Sequence, residues 1–185
     1  GPLTNEAQFQ SVVAGIERLS AVTQVVTGGK DRLIAPGPFL APTLLRASDG
    51  SDPVLHGEEV FGPVATVIPY SGEAAEACAL VRRGQGALVT SVFTDDRRFA
   101  GAFAMGVAPW SGRVYIGGSK VADHATGHGL VLPSMVHGGP GRAGGGEELG
   151  GLRGLEFYTQ RTAIQGFRAL IDGDFAAPKV APNPA

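Results

Sequence analysis

At 185 residues, 43% hydrophobic and 17% charged, the chain is one domain of ordinary size that can bury a proper core and is too apolar for intrinsic disorder. Its formal charge of −2 gives no electrostatic case for nucleic acid or an anionic membrane, and no apolar run reaches the roughly 20 residues a membrane helix needs. One cysteine, Cys78, excludes an internal disulfide framework and leads us to expect a reducing, cytoplasmic setting. The chain opens on Gly1-Pro2 without a methionine, so we expect an end made by cleavage or a piece of something larger.

In chain order, Phe9, Val12, Val13 and Ile16 recur at helical spacing within residues 5–19. "TQVVTGG" (23–29) and "PFLAPTLL" (38–45) are short extended segments closed by Gly and Pro. "VATVIPY" (64–70) is an apolar strand, and Ser71 is the expected N-cap of a helix over 73–83. "ALVTSVFT" (87–94) is the next strand, and Asp95 is expected to cap a helix running to about Met105. "RVYIGG" (113–118) is the third. Strands alternating with helices, with near-continuous apolar strands, predict an α/β fold with a parallel sheet covered by helices on both faces. After Gly118 the periodicity lapses across a glycine-rich stretch, which inside a compact domain points to function or disorder. Residues 154–166 resume as a helix end and a final strand. The expected division is a catalytic-domain-like portion over 1–155, a C-terminal strand over 156–166, and a Pro/Ala-rich tail over 167–185.

Four constellations carry possible chemistry. Gly139-Pro140-Gly141-Arg142-Ala143-Gly144 matches a dinucleotide fingerprint by count, but that fingerprint needs a strand before it and an acid at the end of the next strand. Ser134–His137 is short for such a strand, no suitable acid follows, and Pro140 lacks an N–H that a phosphate would want. What survives is a loop that passes close to a ligand or to other backbone. His124 and His128 have a ligand-like spacing, yet Gly127 and Gly129 argue against the helix that a zinc pair wants, so no metal site is expected. Cys78, among alanines and leucines, reads as a small buried hydrophobe rather than a nucleophile. "HGEEVFGPV" (56–64) can be a solvated turn. Against that stands Phe61, costly to expose without a partner, beside carboxylates that suit a ligand with both hydroxyls and a ring.

"GPLTNEAQF", "GPFLAPTLL", "GEEVFGPVATVIPY", "ALVTSVFTDD" and "GEELGGLRGLEFYTQRTAI" together resemble, in order and spacing, the C-terminal catalytic half of an aldehyde dehydrogenase over residues 1–166. The stretch 125–153 is most similar to the CoA-linked semialdehyde dehydrogenases of aerobic phenylacetate and benzoate degradation, including the dehydrogenase part of the bifunctional ring-opening protein. It departs from the commoner family pattern by carrying Val136-His137-Gly138-Gly139 where most members have Pro-Phe-Gly-Gly.

The resemblance implies NAD or NADP as cofactor, with Glu59 on the nicotinamide ribose and Phe61 beside the nicotinamide. It implies that His137, Gly138 and Gly139 line the substrate tunnel for a CoA-linked aldehyde, and that Glu148 lies near the path of the catalytic water. It also implies a three-layer fold whose C-terminal strand joins a sheet shared between subunits, hence a homo-oligomer. In the family the nucleophilic cysteine, the general base, the oxyanion donor and the nucleotide-binding domain lie N-terminal to the position of Gly1. The chain alone is therefore expected to be inactive, and the missing N-terminal nucleotide-binding domain is its expected partner. A non-catalytic binding or assembly module that kept the fold is the alternative. Retention of Glu59, Phe61 and Glu148 together favours the enzyme.

Overall fold

The computed structural model describes residues 2–169 except 128, 133, 145, 146, 149, 150 and 161. The chain divides into two compact units, Gly1–Leu149 and Gly150–Ala185. In the first, α1 (Glu6–Ser20) starts where the Asn5 side chain accepts a hydrogen bond from the Gln8 amide, and it buries Phe9, Val12, Gly15, Ile16 and Leu19 along one face. Phe9, Val12, Ile16 and Leu40 form one core, joined by Leu3, Val13, Val60 and Val64.

Strands β1 (Gln24–Thr27), β2 (Thr43–Arg46) and β3 (Val64–Val67) form one sheet with β2 in the centre. β1 runs antiparallel to β2, and β3 runs parallel to it with Thr43 opposite Val64. A short helix, α2 (Val54–Gly57), lies between β2 and β3. A second pair, β4 (Ala87–Phe93) and β5 (Ser111–Gly117), is parallel, with Val89 opposite Arg113 and Val92 opposite Ile116. α3 (Ala74–Arg83) precedes β4, and α4 (Arg97–Val107) is the crossover between β4 and β5. α3 and α4 pack on each other and on one face of this pair, burying Cys78, Val92, Phe103 and Val107 together with Val81, Phe99 and Val114. On the opposite face the rings of Phe93 and Tyr115 meet at 5.8 Å, and Phe93 stays exposed.

Three local expectations are corrected. The strand 64–67 does not extend the 87–93/111–117 pair: its ladder partner is β2, whose wholly buried Leu45 fixes that sheet in the core. Ser71 is not the cap residue of α3. Glu73 holds that position without a side-chain bond, while the Ser71 hydroxyl accepts from the Glu73 amide and the Glu76 carboxylate reaches back to the Ser71 amide. Asp96, not Asp95, caps α4, accepting from the amides of Arg98 and Phe99. Asp95 accepts from the amide of Ser119 at 2.8 Å, and the Ser119 hydroxyl together with that amide holds its carboxyl below the ordinary range.

Two residue pairs, β6 (His137–Gly138) and β7 (Glu147–Glu148), form a small antiparallel ladder within the first unit. In the second unit α5 spans Gly151–Phe157. Glu156 and Phe157 thus close a helix, and the described residues of 158–166 carry no strand pairing within the chain. Most of the tail 167–185 lies outside the described residues. No helix among the described residues is long and apolar enough to cross a membrane.

Candidate active-site surface

The segment 58–62 follows α2 directly, and α1 grips it from one side. Arg18 donates from Nε and Nη2 to the two carboxylate oxygens of Glu58 at 2.8 and 2.6 Å. Val60 packs into the α1 core, where a Cβ on Gly15 would lie 2.6 Å from a Val60 methyl. Gln8 Nε2 donates to the Phe61 carbonyl at 2.9 Å, and Gly62 passes so close to Val12 that a Cβ there would stand 2.7 Å from its methyl. An extended segment alternates its side chains. With residues 58 and 60 held inward, 59 and 61 face the other way: Glu59 is exposed and Phe61 is 72% exposed. Among the described residues the Glu59 carboxylate meets no hydrogen-bond or ion-pair partner.

The two adjacent glutamates therefore have different roles. Glu58 is structural, and the Arg18 guanidinium beside it holds its carboxyl below the ordinary value of 4.5. A carboxyl depressed in the folded state stabilises that state fully above its unfolded value and loses the contribution as pH falls through the folded value. Glu58→Gln should thus be less stable than the parent chain at neutral pH. The gap should close once the pH is taken well below 4.5, as urea unfolding at the two pH values will read.

The glycine-rich loop answers differently from its spacing. Gly141–Ala143 form a tight helical turn ended by Gly144, and among the described residues the next helix begins at Gly151. The amides a phosphate would need are spent: Arg142 donates to the Gln85 carbonyl, Ala143 to Pro140 and Gly144 to Gly141. The glycines instead allow backbone to meet backbone. A Cβ on Gly86 would be 2.0 Å from the Pro140 oxygen, one on Gly112 would be 2.1 Å from the Gly138 oxygen, and one on Gly141 would be 2.0 Å from the Gln85 oxygen. The loop is thereby seated on the N-terminal ends of β4 and β5.

This seating fixes the expected substrate residues. His137 is buried with Nδ1 2.8 Å from the Met135 carbonyl, and it stands opposite Glu148 in the β6–β7 ladder, as Gly138 stands opposite Glu147. Gly139 is buried against Ala143. The backbone thus brings His137 and Glu148 together. Arg142 ties the loop to the other motif, its two Nη atoms donating at 3.0 Å to the carbonyls of His56 and Gly57 just before Glu58. Sequence reasoning missed both Arg18 and Arg142. A basic residue in the last turn of α1 was visible, but its partner on a distant segment was not.

Cys78 is buried in the α3–α4 core, its Sγ donating to the Phe103 carbonyl at 3.6 Å, as expected of a packing residue. His124 is exposed in a turn, its sequence neighbour His128 lies outside the described residues, and no group of metal-ligating side chains gathers among those described.

These features agree with what comparison finds. The aldehyde dehydrogenase family matches residues 1–164. Over 168 residues the chain is 45% identical to the protein MaoC of Klebsiella aerogenes, covering 90% of this chain and 50% of that protein. It is 40% identical over 147 residues to the 3,4-dehydroadipyl-CoA semialdehyde dehydrogenase of Aromatoleum evansii, covering 76% of this chain and 28% of that one. Among solved structures, aldehyde dehydrogenase C of Pseudomonas syringae, complexed with NAD+ and octanal, superposes with a TM-score of 0.68 at 29% identity, covering 85% of this chain and 30% of that one. The chain thus spans half or less of the length of these relatives. A mixed α/β core, a family match over residues 1–164 and close structural likeness lead to one conclusion: the chain belongs to the aldehyde dehydrogenase family.

Proposed function

We propose that this chain supplies the substrate-tunnel wall and the nicotinamide end of the cofactor site in an enzyme that oxidises a CoA-linked semialdehyde to its carboxylic acid. The observation that carries this reading is the alternation at 58–61, which commits Glu58 and Val60 to α1 and leaves Glu59 and Phe61 outward together. A partnerless carboxylate beside an exposed ring fits a ribose that offers hydroxyls next to a flat heterocycle. NAD or NADP, when bound, supplies the hydride acceptor. Glu59 holds the ribose, Phe61 limits where the ring can lie, and the loop 137–139 forms part of the wall that keeps bulk water from the aldehyde. Glu148, whose backbone is registered opposite His137, is in this reading the carboxylate that steers the attacking water. The substrate class is supported by likeness to a relative whose name specifies a CoA semialdehyde.

In this reading the nucleophile and the rest of the cofactor site come from a preceding part of the polypeptide. Cys78, walled in by Val92, Phe103 and Val107, cannot reach an aldehyde. The test is the kcat/KM of the complete polypeptide for a CoA-linked semialdehyde against free succinate semialdehyde. A preference for the CoA-linked substrate supports the proposal, and an equal or reversed preference rejects it.

We further propose that the enzyme is a homo-oligomer assembled through residues 156–166. Leu155, Tyr158 and Ile164 are all exposed in the second unit, an apolar row that a second copy can cover. Sedimentation at micromolar concentration should find dimers or larger species, and Tyr158→Pro, which removes a ladder donor, should shift them towards monomer. A parent chain that sediments as a clean monomer contradicts this.

A further inference from the structure

A cleft of about 610 Å³ opens between α2, the C-terminal end of α3 and the loop carrying Arg142, and it is lined by Ser51, His56, Arg82, Arg83, Gln85 and Arg142. Among the described residues no carboxylate lines it. On a chain with a net charge of −2, three guanidiniums facing one solvent-open space form a local reversal of sign. The volume lies within the range of about 300–1,000 Å³ typical of small-ligand sites.

The arginines are held in place by carbonyls rather than neutralised by acids. Arg83 donates to the Gly50 and Ser51 carbonyls, Arg142 to those of His56 and Gly57, and Arg82 to that of Gly106. The neighbouring acids are engaged elsewhere. Asp52 accepts from the Val54 amide and Glu58 is held by Arg18. Asp49 accepts from the Ser51 amide, and the Ser51 hydroxyl and amide, more than the Arg83 charge, hold its carboxyl below the ordinary range. Guanidiniums fixed by neutral acceptors keep their charge and remaining N–H donors for an outside anion, and their planar forks match phosphate oxygens.

We propose that this cleft binds the phosphorylated adenosine handle of a CoA thioester, with Arg82, Arg83 and Arg142 facing its 3′-phosphate and diphosphate. The proposal rests on the reading of the substrate as CoA-linked and adds where this chain holds it. Arg142 belongs to the same loop as Gly138 and Gly139, so the handle would anchor beside the passage through which the acyl end enters. The shared chemistry of a phosphorylated adenosine also occurs in NADP, and the experiment separates the two.

Calorimetric titration of the 185-residue chain uses CoA, dephospho-CoA, NADP and inorganic phosphate as probes. CoA should bind, dephospho-CoA should bind several-fold more weakly, and Arg82→Gln should weaken CoA about tenfold, the effect of losing one charge-assisted contact. Arg82→Lys, which keeps the charge, should restore most of that loss, and Arg97→Gln, the same charge change at the start of α4 and away from the cleft, should not move it. The proposal is overturned if CoA does not bind, if Arg82→Gln leaves CoA binding unchanged, or if NADP or inorganic phosphate binds as tightly as CoA. None of these readouts needs turnover. CoA binding by the chain without CoA-semialdehyde oxidation by the complete polypeptide would defeat the proposed reaction alone, and the converse would defeat the cleft alone.

Discussion

Gly86→Ala should destabilise the chain by about 2–6 kcal/mol. Two penalties combine. Gly86 adopts φ +122, a conformation L side chains rarely take, which costs on the order of 1–3 kcal/mol. The added Cβ would also stand 2.0 Å from the Pro140 oxygen, and forcing extra volume into packed structure costs about 1–3 kcal/mol. Backbone on both sides leaves no side chain to swing away. Gly72→Ala is the control, because Gly72 has φ +93 but nothing within 4 Å of the added atom. Urea unfolding of the two variants separates conformation from contact. Should Gly86→Ala prove no worse than Gly72→Ala, the loop 137–144 is not seated on β4 as described.

Glu59→Gln in the complete enzyme should slow hydride transfer by about a hundredfold while weakening cofactor binding far less. In the proposed reading the carboxylate fixes the ribose rather than supplying the main anchor, and misplacement of a reacting group by about an ångström costs on the order of a hundredfold. Glu58→Gln serves as the comparison: the same change one residue away, on the side chain that Arg18 holds. It should affect stability and leave the hydride step nearly intact. Single-turnover rates for Glu59→Gln within twofold of the parent would reject the assignment.

The contrast between these neighbours shows where the sequence was legible. The helical spacing of Phe9, Val12 and Ile16 gave α1 almost to the residue, since one amphipathic period determines both helix and buried face. The runs 87–94 and 113–118 gave a parallel pair because both are apolar, short and joined by a helix. Which carboxylate of Glu58-Glu59 faces outward was not legible, because it depends on Arg18, forty residues earlier in the chain. The partner of 64–67 was hidden for a similar reason: "PFLAPTLL" reads as an extended segment, but nothing in it says which strand it joins. The caps slipped because Ser71 and Asp95 do bond to backbone amides, but at Glu73 and Ser119 rather than at the helix starts expected of them. Glycine spacing was the weakest guide. The count at 139–144 suggested a phosphate cradle, whereas the glycines at 86, 112 and 141 are required by backbone approach to other strands.

The measurement that tests the account most directly is NAD(P)H formation by the purified 185-residue chain, given a CoA-linked semialdehyde and either NAD or NADP. On the proposed reading the chain offers one end of a cofactor site and a tunnel wall, and its one thiol is sealed in the α3–α4 core. The account predicts no rate above the buffer background from the chain alone and turnover from the complete polypeptide under the same conditions. Turnover by the chain alone that disappears on Cys78→Ser would contradict it.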